Sequence, residues 1–278
     1  MTQDLSKIPP PDIIETLSYE LILSRMQEEL IAKDPEFSAL VESDPAIKVL
    51  EIAAWREFLL RQRINDAARA NLLAFAGSTD LDHLAAFYNV ERMDAESDLA
   101  FRKRVQAKIA GWSTAGSRDY YRYHALSAST RVLDARADSP LPGQVRISIL
   151  AADNQGIADD ALLQTVTDAV TNDTVRVLTD SVEVVACGIK ATPIIADITL
   201  YPESNAEIVA QAKTRLSKAI SEQKRLGWDL TRSWIMGNLF VEGMQKIEIT
   251  SPVEDIEIAE NECVAIDLIE LTLKDRRW

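Results

Sequence analysis

The chain has 278 residues, enough for a sizeable core and for two or three domains. Its 47% hydrophobic and 27% charged residues are those of an ordinary globular protein, with no apolar run long enough to span a bilayer. The formal net charge is −14 and no segment is in basic excess. Duplex nucleic acid and anionic membranes therefore have nothing to bind to electrostatically, and neither is expected as a partner. The opening MTQDLSKIPPPD lacks the basic and apolar regions of a signal peptide. Cys187 and Cys263 lie in apolar, strand-like contexts, which predicts two buried free thiols in a cytosolic protein rather than a disulfide.

In chain order, Pro9-Pro10-Pro11 marks an extended arm, and a helix is expected from Ile13 to Lys33. Asp34-Pro35 breaks it, and a linker with Phe37, Leu40 and Val41 leads to Asp44-Pro45, a cap followed by a proline suited to the first helical position. The second helix is expected to run to about Phe75. Leu50, Ile52, Trp55, Phe58 and Leu59, with Val49, Ala53, Ala54 and Leu60, cover nearly its whole circumference. A helix apolar all round needs cover on every side. Only two long helices precede residue 76, so the cover is expected from other chains; other helices of the same chain are the alternative.

After Gly77, Thr79 is expected to cap a short helix with Asp82 at the capping-box position, and Ser97 another carrying Phe101, Val105 and Ile109. A glycine-containing loop follows, with Gly111, Thr114, Gly116 and Ser117. Gly116 frees the backbone and Ser117 caps a helix with Asp119 in its first turn. From Arg131 the period becomes that of strands. Strands at 131–136 and 144–151 flank Pro140-Leu141-Pro142-Gly143, a helix follows from Asp159 to about Asp173, and a strand from Ser181 to Ala186. A second unit reads strand 190–200, helix 204–223, helix 231–241, and strands 245–250 and 263–273. The expected class is α+β: long N-terminal helices (1–75), a small helical segment (76–130), and two small α+β modules in series (131–189 and 190–278). Pro140 and Gly143 in the turn, and Gly188 between two strand-like runs, are the hinge candidates.

Chemistry finds little support. Gly111-Trp112-Ser113-Thr114-Ala115-Gly116 is one residue too long for a G-x-S-x-G nucleophile elbow and follows a helix, not a strand. The two histidines, His83 and His124, sit at a helix start and on an aromatic helix face, where packing explains them. The cysteines lack zinc spacing, Asp153-Asn154-Gln155-Gly156 lacks the alternating ligands of a calcium loop, and no phosphate-cradling glycine motif occurs. No catalytic residue, metal, cofactor or small-molecule substrate is expected.

One resemblance orders these elements. Thr114-Ala115-Gly116-Ser117, a helix, the strand Val132-Leu133-Asp134, and the alternation Pro142-Gly143-Gln144-Val145-Arg146-Ile147-Ser148-Ile149 together resemble the baseplate J-like proteins. These are wedge components of contractile phage tails and of tail-derived bacteriocins such as R-type pyocins. The likeness extends to 79–84 and 97–105 upstream, and to 180–184 and 194–200 downstream, so it covers most of the chain beyond about residue 75. It implies a structural subunit, two copies of which join a different wedge protein through a shared helical bundle. Domains further along would link wedges into a ring, with sheath-initiator and hub proteins as further partners. Assembly in the bacterial cytoplasm into a mature tail or tail-like particle is implied too. The competing reading is a cytosolic enzyme or ligand-binding protein with a pocket between the α+β modules, centred on an anion site at Gly116–Ser117.

Overall fold

The computed structural model describes residues 5, 8, 9, 11–35, 44–113 and 116–278. Most of the proline arm and the linker residues Phe37, Leu40 and Val41 lie outside these. The chain divides into two compact units, Met1–Arg92 with Ser97–Val105, and Met93–Glu96 with Gln106–Trp278.

In the first unit, α1 (Tyr19–Lys33) packs along α2 (Pro45–Ala70). The helix expected from Ile13 begins six residues later, at a cap where Ser18 Oγ accepts the Leu21 N–H. The reason lies on α2. Buried Asn65 accepts the Glu15 N–H at 3.0 Å and donates to the Glu15 carbonyl at 2.9 Å, the carbonyl that a longer α1 would pair with the Tyr19 N–H. At the start of α2, Asp44 accepts the Ala46 N–H at 2.8 Å with Pro45 in the first turn, as expected. The helix stops at Ala70, short of Phe75. Beyond it, the Leu73 and Ala76 carbonyls accept from the Arg102 guanidinium at 2.7 and 2.5 Å.

The short helix α3 (Ser78–Ala86) is not capped by Thr79. Its first N–H, on Ser78, is accepted at 2.9 Å by Asp98, the opening residue of α4 (Asp98–Ala110), and Asp82 pairs with Arg92 instead. A carboxylate from a neighbouring helix thus does what a local capping box would have done. Phe101 is fully buried with the Arg92 and Arg104 guanidinium groups 4.5 and 5.3 Å from its ring centre, and Ser97 caps α4 through the Ala100 N–H.

The second unit holds two three-stranded sheets. In the first, β1 (Val132–Asp138) runs antiparallel to β2 (Gln144–Ala151), and β2 runs parallel to β3 (Ser181–Ala186). A parallel neighbour needs a crossover, which α6 (Asp160–Val170) supplies from its Asp159 cap. Alternate residues Ala135, Ala137, Ile147, Ile149 and Ala151 face α5 (Arg118–Ala128) and α6, where Tyr121, Ala125, Leu162, Val166 and Val170 complete the core. This core therefore draws on α5, upstream of residue 131. In the second sheet, β4 (Gly188–Leu200) lies between antiparallel β5 (Met244–Ser251) and parallel β6 (Glu262–Arg276). Ile194, Ala196, Ile198 and Leu200 face Leu216 of α7 (Glu207–Gln223) and Ile235 and Leu239 of α8 (Arg232–Leu239), which Thr231 caps through the Trp234 N–H. The fold is α+β, with helices leading and two small sheets following.

Candidate functional site

The loop before α5 is built for packing. Gly116 has φ of 75°, a conformation that costs an L side chain free energy, and a Cβ there would sit 2.8 Å from Val177 Cγ2. A Cβ on Gly111 would lie 2.6 Å from the Tyr120 backbone nitrogen, so the first turn of α5 closes directly over it. Ser117 caps that turn through the Tyr120 N–H; Thr114 lies outside the described residues. Two tyrosines then pin the segment before β3. The Tyr120 hydroxyl donates to the Val175 carbonyl at 2.8 Å, and the Tyr121 hydroxyl donates to Asp180 at 2.7 Å. Burial, reinforced by Asp180, pushes the Tyr121 phenol up to about 12. With that carboxylate beside Gly116, an anion at the start of α5 would meet a like charge.

The two histidines differ: His83 is exposed on α3, and His124 is partly buried on α5. His124 packs edge-on against Tyr120 and Tyr123, and burial with nearby Lys108 pushes its imidazole down to about 4. Among the described residues no group of acidic, histidine or cysteine side chains is arranged to hold a metal ion, and no helix is long and apolar enough to cross a membrane. A pocket of about 270 Å³ near the end of α2 is lined by Arg63, Asp66, Ala67, Ala70, Asn71 and Asp80. It holds no histidine, thiol or hydroxyl nucleophile.

The most conspicuous surface is on α2. Val49, Ile52 and Leu60 are about two-thirds exposed (65%, 64% and 66%) and Trp55 is half exposed; Leu59 and Ile64 join them, and Leu21 of α1 is exposed as well. Leu50 and Phe58 are half-buried, while Ile47 and Ala54 are buried. Trp55 stacks on Phe58 at 5.5 Å between ring centres and meets the Tyr19 edge at 6.0 Å, which holds the indole in place. Isolated exposed leucines are normal on a soluble protein, but a run of large apolar side chains along one helix marks a surface meant for cover.

Pro140 and Gly143 lie in the β1–β2 turn, where Gly143 takes a positive φ and its carbonyl accepts the Ser181 N–H that opens β3. Gly188 opens β4, one residue after the last residue bonded to the first sheet. Sequence patterns missed Asn65, Tyr121, Asp180 and Asp134, because each acts on backbone or side chains far along the chain.

Comparison with known proteins follows the same order of elements. A family model for the Baseplate J-like N-terminal domain matches residues 42–96, and one for the Baseplate J-like central domain matches residues 113–186. The chain is 39% identical over 276 residues to "Baseplate protein J" of Escherichia phage P2, covering 91% of each chain. A solved structure described as the anti-feeding prophage baseplate aligns with 90% of this chain and 53% of its own at 12% identity; its TM-score of 0.34 carries no argument. The two family models and the P2 relative together establish that the chain belongs to the baseplate J-like family.

Proposed function

We propose that this protein is a structural subunit of a contractile-tail baseplate wedge and catalyses no reaction. The observation that carries the reading is the uncovered apolar face of α2, centred on Ile52, Trp55 and Leu59, in a chain whose relative is a phage baseplate protein. Two copies of the chain and one different wedge protein bury this face in a shared helical bundle, with Leu50 and Phe58 at its margin. The domains that follow link neighbouring wedges into a ring, where sheath-initiator and hub proteins are the adjoining partners. Assembly takes place in the bacterial cytoplasm before the finished tail or tail-like particle is released. Supporting it are the aromatic packing of His124 and the close contacts and capping at Gly111, Gly116 and Ser117, which among the described residues give these motifs a structural role.

Co-expression with the neighbouring tail reading frames tests this. The expected product is a complex of two copies with one different chain, read by native mass spectrometry. A monomer that captures none of those products, and whose melting temperature rises with a small ligand, would refute it.

A further inference from the structure

We propose that the two α+β modules form a single rigid arm, locked at a seam whose keystone is Asp134, so that Gly188 is a fixed joint and not a hinge. Asp134, on β1, is 9% exposed. One carboxylate oxygen accepts from Arg122 of α5 at 2.8 Å and from the Ala135 N–H at 3.0 Å. The other reaches into the second module and accepts the buried Leu226 N–H at 3.2 Å, just past α7. One carboxylate therefore satisfies groups in both modules, and its removal leaves a guanidinium and a buried amide without it. Around it, Leu150 of β2, Cys187, Leu226 and Cys263 of β6 form a buried cluster flanked by Leu133 and Ile189. On the rim, Arg136 of β1 pairs with Glu260 at 2.9 Å, and Arg118 approaches the same carboxylate at 3.9 Å.

The backbone at the joint has no slack. The Cys187 N–H donates to Ile149 of the first sheet at 3.0 Å, and the very next N–H, on Gly188, donates to Asn261 of the second module at 3.1 Å. A hinge works by residues whose φ and ψ are free to change, whereas here consecutive amides are bonded to different modules. Gly188 is a glycine because it faces Glu262, whose Cγ would lie 2.9 Å from a Cβ at that position. Close approach, not flexibility, accounts for the residue.

Cys187 and Cys263 are the chain's only cysteines, and both lie in the seam, so native-state thiol labelling reads its opening directly. Burial raises both thiols above their ordinary range, Cys187 to about 11. The experiment labels the full-length wild-type protein with a disulfide reagent across sub-denaturing urea. If the modules are one body, both thiols react at a single rate with the urea dependence of global unfolding. Reaction at low urea, with little urea dependence, would mean that the seam opens by itself and would overturn the proposal. In Asp134→Ala the two thiols should speed up together by about tenfold or more, the equivalent of one lost buried hydrogen bond, while amides of Ile147 and Ile198 stay protected. Unchanged labelling in that variant would remove Asp134 as the keystone. Should the variant fail to fold, the wild-type urea dependence still decides between a locked and a free joint.

Discussion

A side chain at Gly116 would need both a strained backbone and space that Val177 and Asp180 occupy. Gly116→Val should therefore lower stability by about 1–3 kcal/mol, seen as a lower melting temperature and faster proteolysis. An unchanged melting curve would show that the loop has another way to close. Gly111→Ala should be at least as damaging without any φ penalty, since its Cβ meets backbone at 2.6 Å and α5 must move. His124 makes a pH-dependent case. Its imidazole falls from an ordinary 6.5 to about 4 in the folded chain, so the unfolded state binds the proton first as pH drops. Stability is fully present above pH 6.5 and declines between 6.5 and 4, by on the order of 1–2 kcal/mol once solvent screening of the partly exposed ring is allowed for. The stabilised carboxylates, Glu20, Asp98, Asp153, Asp159, Glu248 and Glu260, titrate below their already low ordinary values, beneath most of that window. His124→Phe, which keeps an aromatic ring beside Tyr120 and Tyr123, should flatten urea stability between pH 6.5 and 4.5; an undiminished slope would assign the effect to other groups.

On the proposed reading, helix α2 separates folding from assembly along one element. Ile47 and Ala54 face inward and support the unit, whereas Ile52 is 64% exposed and contributes little to the isolated chain. Ile52→Asp should change stability by less than about 0.5 kcal/mol, as surface substitutions do. In a multi-chain bundle the same carboxylate would be buried without a partner, at a cost of several kcal/mol. Capture of the wedge partner in pull-downs should therefore fall at least about tenfold, and Trp55→Asp should do the same. Wild-type complex yield from both variants would show that the partner docks elsewhere. The apolar circumference of α2 is legible in the sequence by its spacing alone. Which of those residues face outward is not, because it depends on where α1 and the extended segment at Glu15 lie against it.

At the scale of the whole second unit, the proposed seam between the modules implies that they move together. Copies of the chain placed in unlike surroundings should then superpose over residues 118–278 as one body. A density map of an assembled particle checks this: a rotation of residues 190–278 against 118–186 between copies would contradict it. Pro140 and Gly143 do not bear on that rotation, since the turn they occupy lies wholly within the first module.

Local chemistry was enough to determine the strands, most of the helices, the caps Asp44, Ser97 and Ser117, the α+β class and two buried free thiols. Those signals act over two to four residues, through strand alternation, helical spacing and a side-chain oxygen above a first turn. Tertiary structure decided what distance along the chain conceals. Asn65 reaches back 50 positions to keep Glu15 out of α1, Asp98 replaces Thr79 as the cap of α3, and Asp134 reaches 92 positions forward to Leu226. It also joined α5 to the first sheet, because the core of that sheet needs Tyr121, Ala125 and Leu126 as cover. A polar side chain looks the same in the sequence whether it faces water or closes a buried backbone group, and only the packed chain distinguishes the two.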